Sequence, residues 1–385
     1  MKCKSAKTNV VFLTWYFPKG SGGFTYRKKL LTLLSSIDSI QTIIVLTSDI
    51  ELQKFRNAKI KILLLNHFIP ENPLFRFFRF LLFQLKVIIY LTRYCGEYST
   101  IFVMSGNNFA LPVLFCKIIL KKKIVYLMSG VGGISVWELY PSNLLSRIIA
   151  ILDELTLLLS DFIILESPRL RDVLKLDRYR GKVIQNGRMY VEREKMQYTI
   201  PFSRRRNVIG YIGRLSPEKG VLNFARSILR IRMDTSVKVD GVIIGGGGPL
   251  ETEIKKLLSL EENINIQILG HITENKVPKI LNHLKLLILP SLVEGLPNIL
   301  LESMACGTPV LATPVGAILD VIIDEKTGFI MRDNSPETIV MNIGRALTHP
   351  ELPKISRKSI KTVQKEFNFE SALNRWKHII EYIVG

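Results

Sequence analysis

Residues 286–307 read LLILPSLVEGLPNILLESMACG, and the reading of this stretch decides the fold class. The apolar run 286–289 has strand length and stops at Pro290, Pro297 suits the first turn of a helix, and Gly307 suits its C-terminal stop. Strand, loop and helix in that order form the repeating unit of an open α/β sheet. In such sheets ligands bind beyond the carboxyl ends of the strands, where a helix N-terminus offers unpaired N–H groups and partial positive charge to an anion. Glu294 falls in the loop. Glu302 falls eight positions later on the helix, one turn beyond Asn298, so both side chains can face one ligand. Taken alone, two glutamates at this spacing are an ordinary solvated loop and helix face. Their surroundings have to supply the rest.

On both sides of this stretch, short β-branched runs alternate with helical segments, the pattern of parallel sheets. In the first half the strand-like runs are 10–15, 42–47, 60–65, 100–104, 123–127, 162–165 and 182–185; in the second they are 208–212, 239–244, 264–269, 286–289, 310–312 and 329–331. A polar, basic bridge at 192–207 separates the two sets, and 385 residues exceed what one core sustains. The reading is therefore α/β, with two Rossmann-like doubly wound domains at 1–195 and 196–368. A helix is expected at 353–367, and apolar residues at helical spacing around Trp376, Ile379, Ile380 and Ile383 make 369–385 another. No 20–50-residue repeat or heptad array is present, which sets solenoids and coiled coils aside.

Composition narrows the setting. The four cysteines, Cys3, Cys95, Cys116 and Cys306, show no CxxC or metal spacing, and a reduced intracellular compartment is their simplest account. Lys2, Lys4 and Lys7 followed by a short apolar run give no secretory pattern, so a cytoplasmic protein is expected. The net charge is +20, of which +15 lies in residues 1–200. Nucleic acid, an anionic membrane face or an acidic substrate would each fit that asymmetry. Residues 74–94, LFRFFRFLLFQLKVIIYLTRY, mix Phe and Leu with Arg76, Arg79, Lys86 and Arg93. These charges argue against a spanning helix, which needs about 20 predominantly apolar residues. Two readings stay open: an interfacial helix, or a buried domain helix whose arginines snorkel.

The run PSLVEGLPNILLESMACGTPVLATPVG, followed by KTGFI, resembles the donor-site signature of retaining glycosyltransferases of the GT-B type, family 4. The resemblance implies two domains facing across a cleft, with the last helix crossing back onto the first. It further implies that Glu294 contacts donor-sugar hydroxyls, that Glu302 holds the ribose, and that Gly295, Leu296, Pro297, Asn298 and Ile299 line the donor. Carboxylates suit these tasks because each accepts more than one hydroxyl. Residues 210–220, GYIGRLSPEKG, match the family's GRL-x-x-EKG pattern, so Arg214 and Lys219 would converge on the diphosphate with Gly213 beside them. Gly247, within the glycine run 245–248, and Ile272, after Gly270-His271, resemble the family's nucleotide-side turns. Asn186-Gly187 matches its turn at the domain junction. Gly22 and Gly23, in the glycine-rich loop after the first strand, would let backbone approach the diphosphate and acceptor.

Three features depart from the family pattern. A histidine usual near Ser129 is missing, an extra glycine enters the 245–248 run, and Lys285 replaces a usual aspartate, which reads as surface variation. G-x-G-x-x-G is absent from the first loop, which disfavours NAD.

In this family retention is attributed to front-face attack, the acceptor hydroxyl passing its proton to the departing phosphate, so no protein base is obligatory. No DxD-like pair calls for a metal, and no cofactor is expected beyond the nucleotide sugar as co-substrate. The expected partners are a UDP- or GDP-linked sugar, a glycan or lipid-linked acceptor, and an anionic membrane surface on which the protein sits peripherally. Nucleic acid is not expected, since neither an aromatic-lined groove nor a recognition-helix motif is seen. A GT-B sugar-nucleotide epimerase, a basic nucleic-acid-binding protein and a noncatalytic partner subunit remain the rival readings.

Overall fold

The computed structural model describes residues 8–15, 22–65, 73–104, 108–128, 144–231, 238–259, 261 and 264–384. The chain divides into two compact units, one of residues 1–189 with 372–385, the other of residues 190–371. Each is built around one parallel sheet.

In the first unit the elements run β1 (Thr8–Thr14), α1 (Gly22–Ser35), β2 (Ile40–Thr47), β3 (Ile60–Leu64), α2 (Pro73–Arg93), β4 (Thr100–Met104), α3 (Ala110–Ile118), β5 (Lys123–Met128), α4 (Leu144–Leu159), β6 (Phe162–Leu165), α5 (Arg169–Val173) and β7 (Val183–Ile184). The strand order is β3-β2-β1-β4-β5-β6-β7. Val10, Val11, Phe12 and Leu13 of the central strand are at most 1% exposed, as a strand covered on both faces requires. Right-handed crossovers put α1 on one face and α2, α3 and α4 on the other. At the carboxyl ends of β1 and β2, fully buried Arg27 of α1 pairs with Asp49 and donates to the Trp15 carbonyl at 2.7 Å.

The second unit contains β8 (Val208–Ile212), α6 (Val221–Ile231), β9 (Gly241–Gly245), α7 (Glu251–Leu258), β10 (Ile266–Ile268), α8 (Val277–His283), β11 (Leu286–Leu289), α9 (Asn298–Ala305), β12 (Val310–Ala312), β13 (Phe329–Ile330), α10 (Pro336–Leu347) and α11 (Leu352–Glu366). Its order is β10-β9-β8-β11-β12-β13. The chain runs outward from β8 through β9 to β10, then returns to place β11 on the other side of β8. That reversal between β8 and β11 is the switch point at which open α/β sheets bind ligands. The last helix, α12 (Phe369–Val384), starts in the second unit, and from Ala372 it belongs to the first. There Tyr382 meets Phe162 edge-on at 5.5 Å, and Lys123 donates to the Ile383 carbonyl.

Two charged residues behave differently from their sequence reading. Lys285 is not surface variation: it is half-buried, donates to the carbonyls of Phe202 (3.0 Å) and Arg205 (3.3 Å), and lies 4.2 Å from the Phe202 ring centroid. Burial, then Arg205, lowers its pKa. Arg205, within the supposed polar bridge, is 5% exposed. Its guanidinium binds the carbonyls of Leu284 (3.1 Å) and Cys306 (2.7 Å) and the Thr308 hydroxyl (2.6 Å), at the C-terminal ends of α8 and α9 where carbonyls lack helical partners.

Candidate functional site

Glu294 lies in the loop between β11 and α9, and three neighbouring segments hold that loop. On the β8 side, Leu292 N–H donates to the Glu218 carbonyl at 2.9 Å. There Gly220 has φ +64°, and a Cβ on it would lie 1.9 Å from the Pro290 oxygen, so only glycine lets the two loops meet. On the β12 side, Gly316 has φ +56°, and a Cβ there would lie 2.1 Å from the Glu294 carbonyl oxygen; Ala317 N–H donates to Gly295 O at 2.9 Å. From the loop after β13, Asn334 donates to the Pro290 carbonyl at 2.9 Å.

This packing brings together two residues that the sequence places 75 positions apart: Lys219 Nζ lies 2.8 Å from Glu294 Oε1. Glu294 is 11% exposed and Lys219 27%. Buried Ser291 donates to the same Oε1 at 2.8 Å, fixing the carboxylate from the other side. An ammonium has three donors, so Lys219 can hold Glu294 and still donate to an anion. Tyr211, 1% exposed, donates to the Arg214 carbonyl at 2.7 Å. Burial, then Glu294 and Glu218, raise its pKa and keep the phenol protonated. The Arg214 side chain is exposed at the carboxyl end of β8.

Beside this pair, Gly213 N–H donates to Gly245 O at 2.9 Å, and Leu215 N–H to Gly247 O at 3.1 Å, tying the ends of β8 and β9. The half-buried Ile272 side chain lies against Gly245, so Gly213, Gly247 and Ile272 share one edge of the sheet. Along the other edge Gly295, Leu296 and Pro297 lead into α9, which begins at Asn298 and Ile299 and carries half-buried Glu302 one turn on. His271 is exposed. In the first unit Gly22 and Gly23 open α1, Gly22 exposed and Gly23 half-buried. Ser129, where the family histidine is missing, lies outside the described residues.

The resemblance named the members of this edge but not its supports. Ser291 and Gly316 sit inside the matched run without an assigned role, and Asn334 lies beyond it. Among the described residues no group of three or more His, Cys, Asp or Glu is arranged to hold a metal. What the edge presents is two cations, a fixed carboxylate and a helix N-terminus, a set suited to an anion bearing hydroxyls.

Residues 192–363 match the family model described as glycosyl transferases group 1. That stretch lies within the second unit and is under half of the chain. An uncharacterized glycosyltransferase of Methanocaldococcus jannaschii is 25% identical over 177 residues, which is 46% of this chain and 45% of that protein. Over the whole chain the fold is GT-B. A sucrose-phosphate synthase from Thermosynechococcus elongatus superposes with a TM-score of 0.79 at 16% identity, over 98% of this chain and 99% of that one. Anabaena HepE in complex with UDP-glucose gives 0.72 at 15%, over 97% and 100%. The catalytic domain of starch synthase IV from Arabidopsis thaliana, bound to ADP and acarbose, gives 0.72 at 14%, over 99% and 100%.

Proposed function

We propose that the protein is a retaining, metal-independent hexosyltransferase that moves a sugar from a UDP- or GDP-linked donor to a hydroxyl of a glycan or lipid-linked acceptor at an anionic membrane surface, in polysaccharide biosynthesis. The observation that carries this reading is the Lys219–Glu294 pair at the switch point of the unit that matches the group 1 glycosyltransferase family model. Lys219 and Arg214 neutralise the diphosphate, whose charge grows as it leaves, and preplaced cations stabilise the transition state more than the ground state. Glu294 accepts hydrogen bonds from the sugar, Glu302 from the ribose, and the start of α9 faces the phosphates. The acceptor hydroxyl attacks the anomeric carbon on the face the phosphate leaves, and its proton passes to the phosphate. Solved structures of the same fold include complexes with UDP-glucose and with ADP, which supports a nucleotide-sugar co-substrate.

A screen of UDP- and GDP-linked sugars by thermal shift and nucleotide release tests the reading. A true donor at 100 times its Kd adds about 2.7 kcal/mol of stability. Release of nucleotide diphosphate should require an acceptor and persist in chelator. The proposal fails if no nucleotide sugar shifts the melting curve, or if donor alone yields an epimerised nucleotide sugar. Activity lost in chelator and restored by manganese would remove metal independence.

A further inference from the structure

We infer that the outer surface of α2, α3 and α4 in the first unit is a docking face for an anionic lipid bilayer. α2 is apolar on both sides. Phe83, Gln84, Val87 and Leu91 face inward, each at most 2% exposed, and Phe83 meets Trp15 edge-on at 4.7 Å. On the opposite side Phe75, Phe78, Leu82, Leu85 and Ile89 are 39–65% exposed, at alternating spacings of three and four that draw one straight stripe. A surface helix normally turns a polar side to solvent opposite its buried one, and here large apolar side chains take that place.

The stripe continues onto its neighbours. α2 packs beside α3, and α3 beside α4. Leu111 and Ile118 are exposed on α3, and Ile151 and Leu158 on α4. Exposed large apolar side chains gathered on one face mark an interaction site.

Charge selects the occupant. Exposed Arg79, Lys86 and Arg93 recur every seven residues along one flank of the stripe, and α2 contains no Asp or Glu. The Arg79 guanidinium lies 5.9 Å from the Phe75 ring centroid, so the cation sits at the edge of the stripe. The acids of α4 are engaged: Asp153 accepts from the Tyr126 hydroxyl at 3.0 Å, and Glu154 from Arg178 and the Tyr179 hydroxyl. A second copy pairing through α2 would bring like-charged rows together, which coiled-coil seams avoid. An anionic bilayer satisfies both surfaces at once, its acyl boundary taking the stripe and its headgroups the cations. No described helix is long and apolar enough to cross a membrane, so the contact lies in the interface plane.

This face deepens the membrane-side part of the proposed function and rests on it, yet vesicle binding needs no donor, so the two can fail separately. The full chain is sedimented with phosphatidylcholine vesicles, with or without phosphatidylglycerol, at low and high salt. Binding should require phosphatidylglycerol and weaken with salt. Phe78→Ser with Ile89→Ser should abolish it. Arg79→Gln with Lys86→Gln should weaken it about 25-fold, at about fivefold per cation near an anionic surface. Melting curves and turnover of a soluble acceptor should stay unchanged in both variants, which alter only exposed side chains. The inference is overturned if the wild type ignores mixed vesicles, if either variant binds as well as wild type, or if light scattering shows a dimer that Phe78→Ser with Ile89→Ser dissolves.

Discussion

Replacing Lys219 by Met separates a working cation from a structural tie. Its Nζ lies 2.8 Å from Glu294 Oε1, with 27% and 11% of the two side chains exposed. Glu294 is nearly buried, so removing its partner strands a carboxylate and costs roughly 1–3 kcal/mol of folding. For a unit of this size that is a melting shift of about 2–12 °C. If Lys219 also stabilises the departing diphosphate, its loss removes a transition-state contact worth about 2.7–4 kcal/mol, or about 10²–10³ in kcat. The two effects differ by orders of magnitude in what the assay reads. Initial rates of nucleoside diphosphate release, measured beside thermal unfolding and well below the variant's melting range, should show a large fall in kcat in protein that is still folded. Glu294→Gln should also lower activity, and the double variant should lose less than the two singles combined, because each single change strands the partner's charge. A Lys219→Met enzyme within about threefold of wild-type kcat, or one whose loss is matched by unfolding, would refute the catalytic assignment and leave the pair a structural tie.

Gly316→Ala should act on the same loop through direct backbone contact. Its φ of +56° and a Cβ 2.1 Å from the Glu294 oxygen force the loop to shift, at about 1–3 kcal/mol for the strained backbone, so a melting point several degrees lower and a higher KM for donor are expected. In alkali, buried Cys306 should matter: burial holds its thiol up at about 12, against an ordinary 9.0, with Glu302 adding to the rise and Arg205 opposing it. Between those values the folded state keeps a proton that the unfolded chain has lost. Stability contributed by this group is therefore intact below pH 9 and falls by about 1.4 kcal/mol per pH unit above it. Cys306→Ala should flatten that part of the denaturation-versus-pH curve, and an unchanged slope would show that other groups govern it.

The strand runs were legible because parallel strands buried on both faces must be continuously apolar, and each of the thirteen expected runs overlaps a strand. Run ends shifted where glycine or a neighbouring ladder set the limit, as at β9, which starts at Gly241 rather than at residue 239. The β11-loop-α9 segment was legible for a related reason: Pro290, Pro297 and Gly307 punctuate it locally. Charged residues were less readable. Lys285 and Arg205 look like surface in the sequence, yet carbonyls at the ends of α8 and α9 draw Arg205 inward, and Lys285 follows over Phe202.

Local pattern and motif were enough to fix two α/β units, the order of their elements, and the residues at the carboxyl edge of β8 and β11. Only the tertiary structure decided that Lys219 reaches Glu294, that Gly220 and Gly316 grip the loop between them, and that α2 keeps an apolar stripe outside the core. The physical reason is range. Strand and helix signals are set by neighbours a few positions away, whereas an ion pair or an uncovered face depends on which distant segments the sheet order brings alongside.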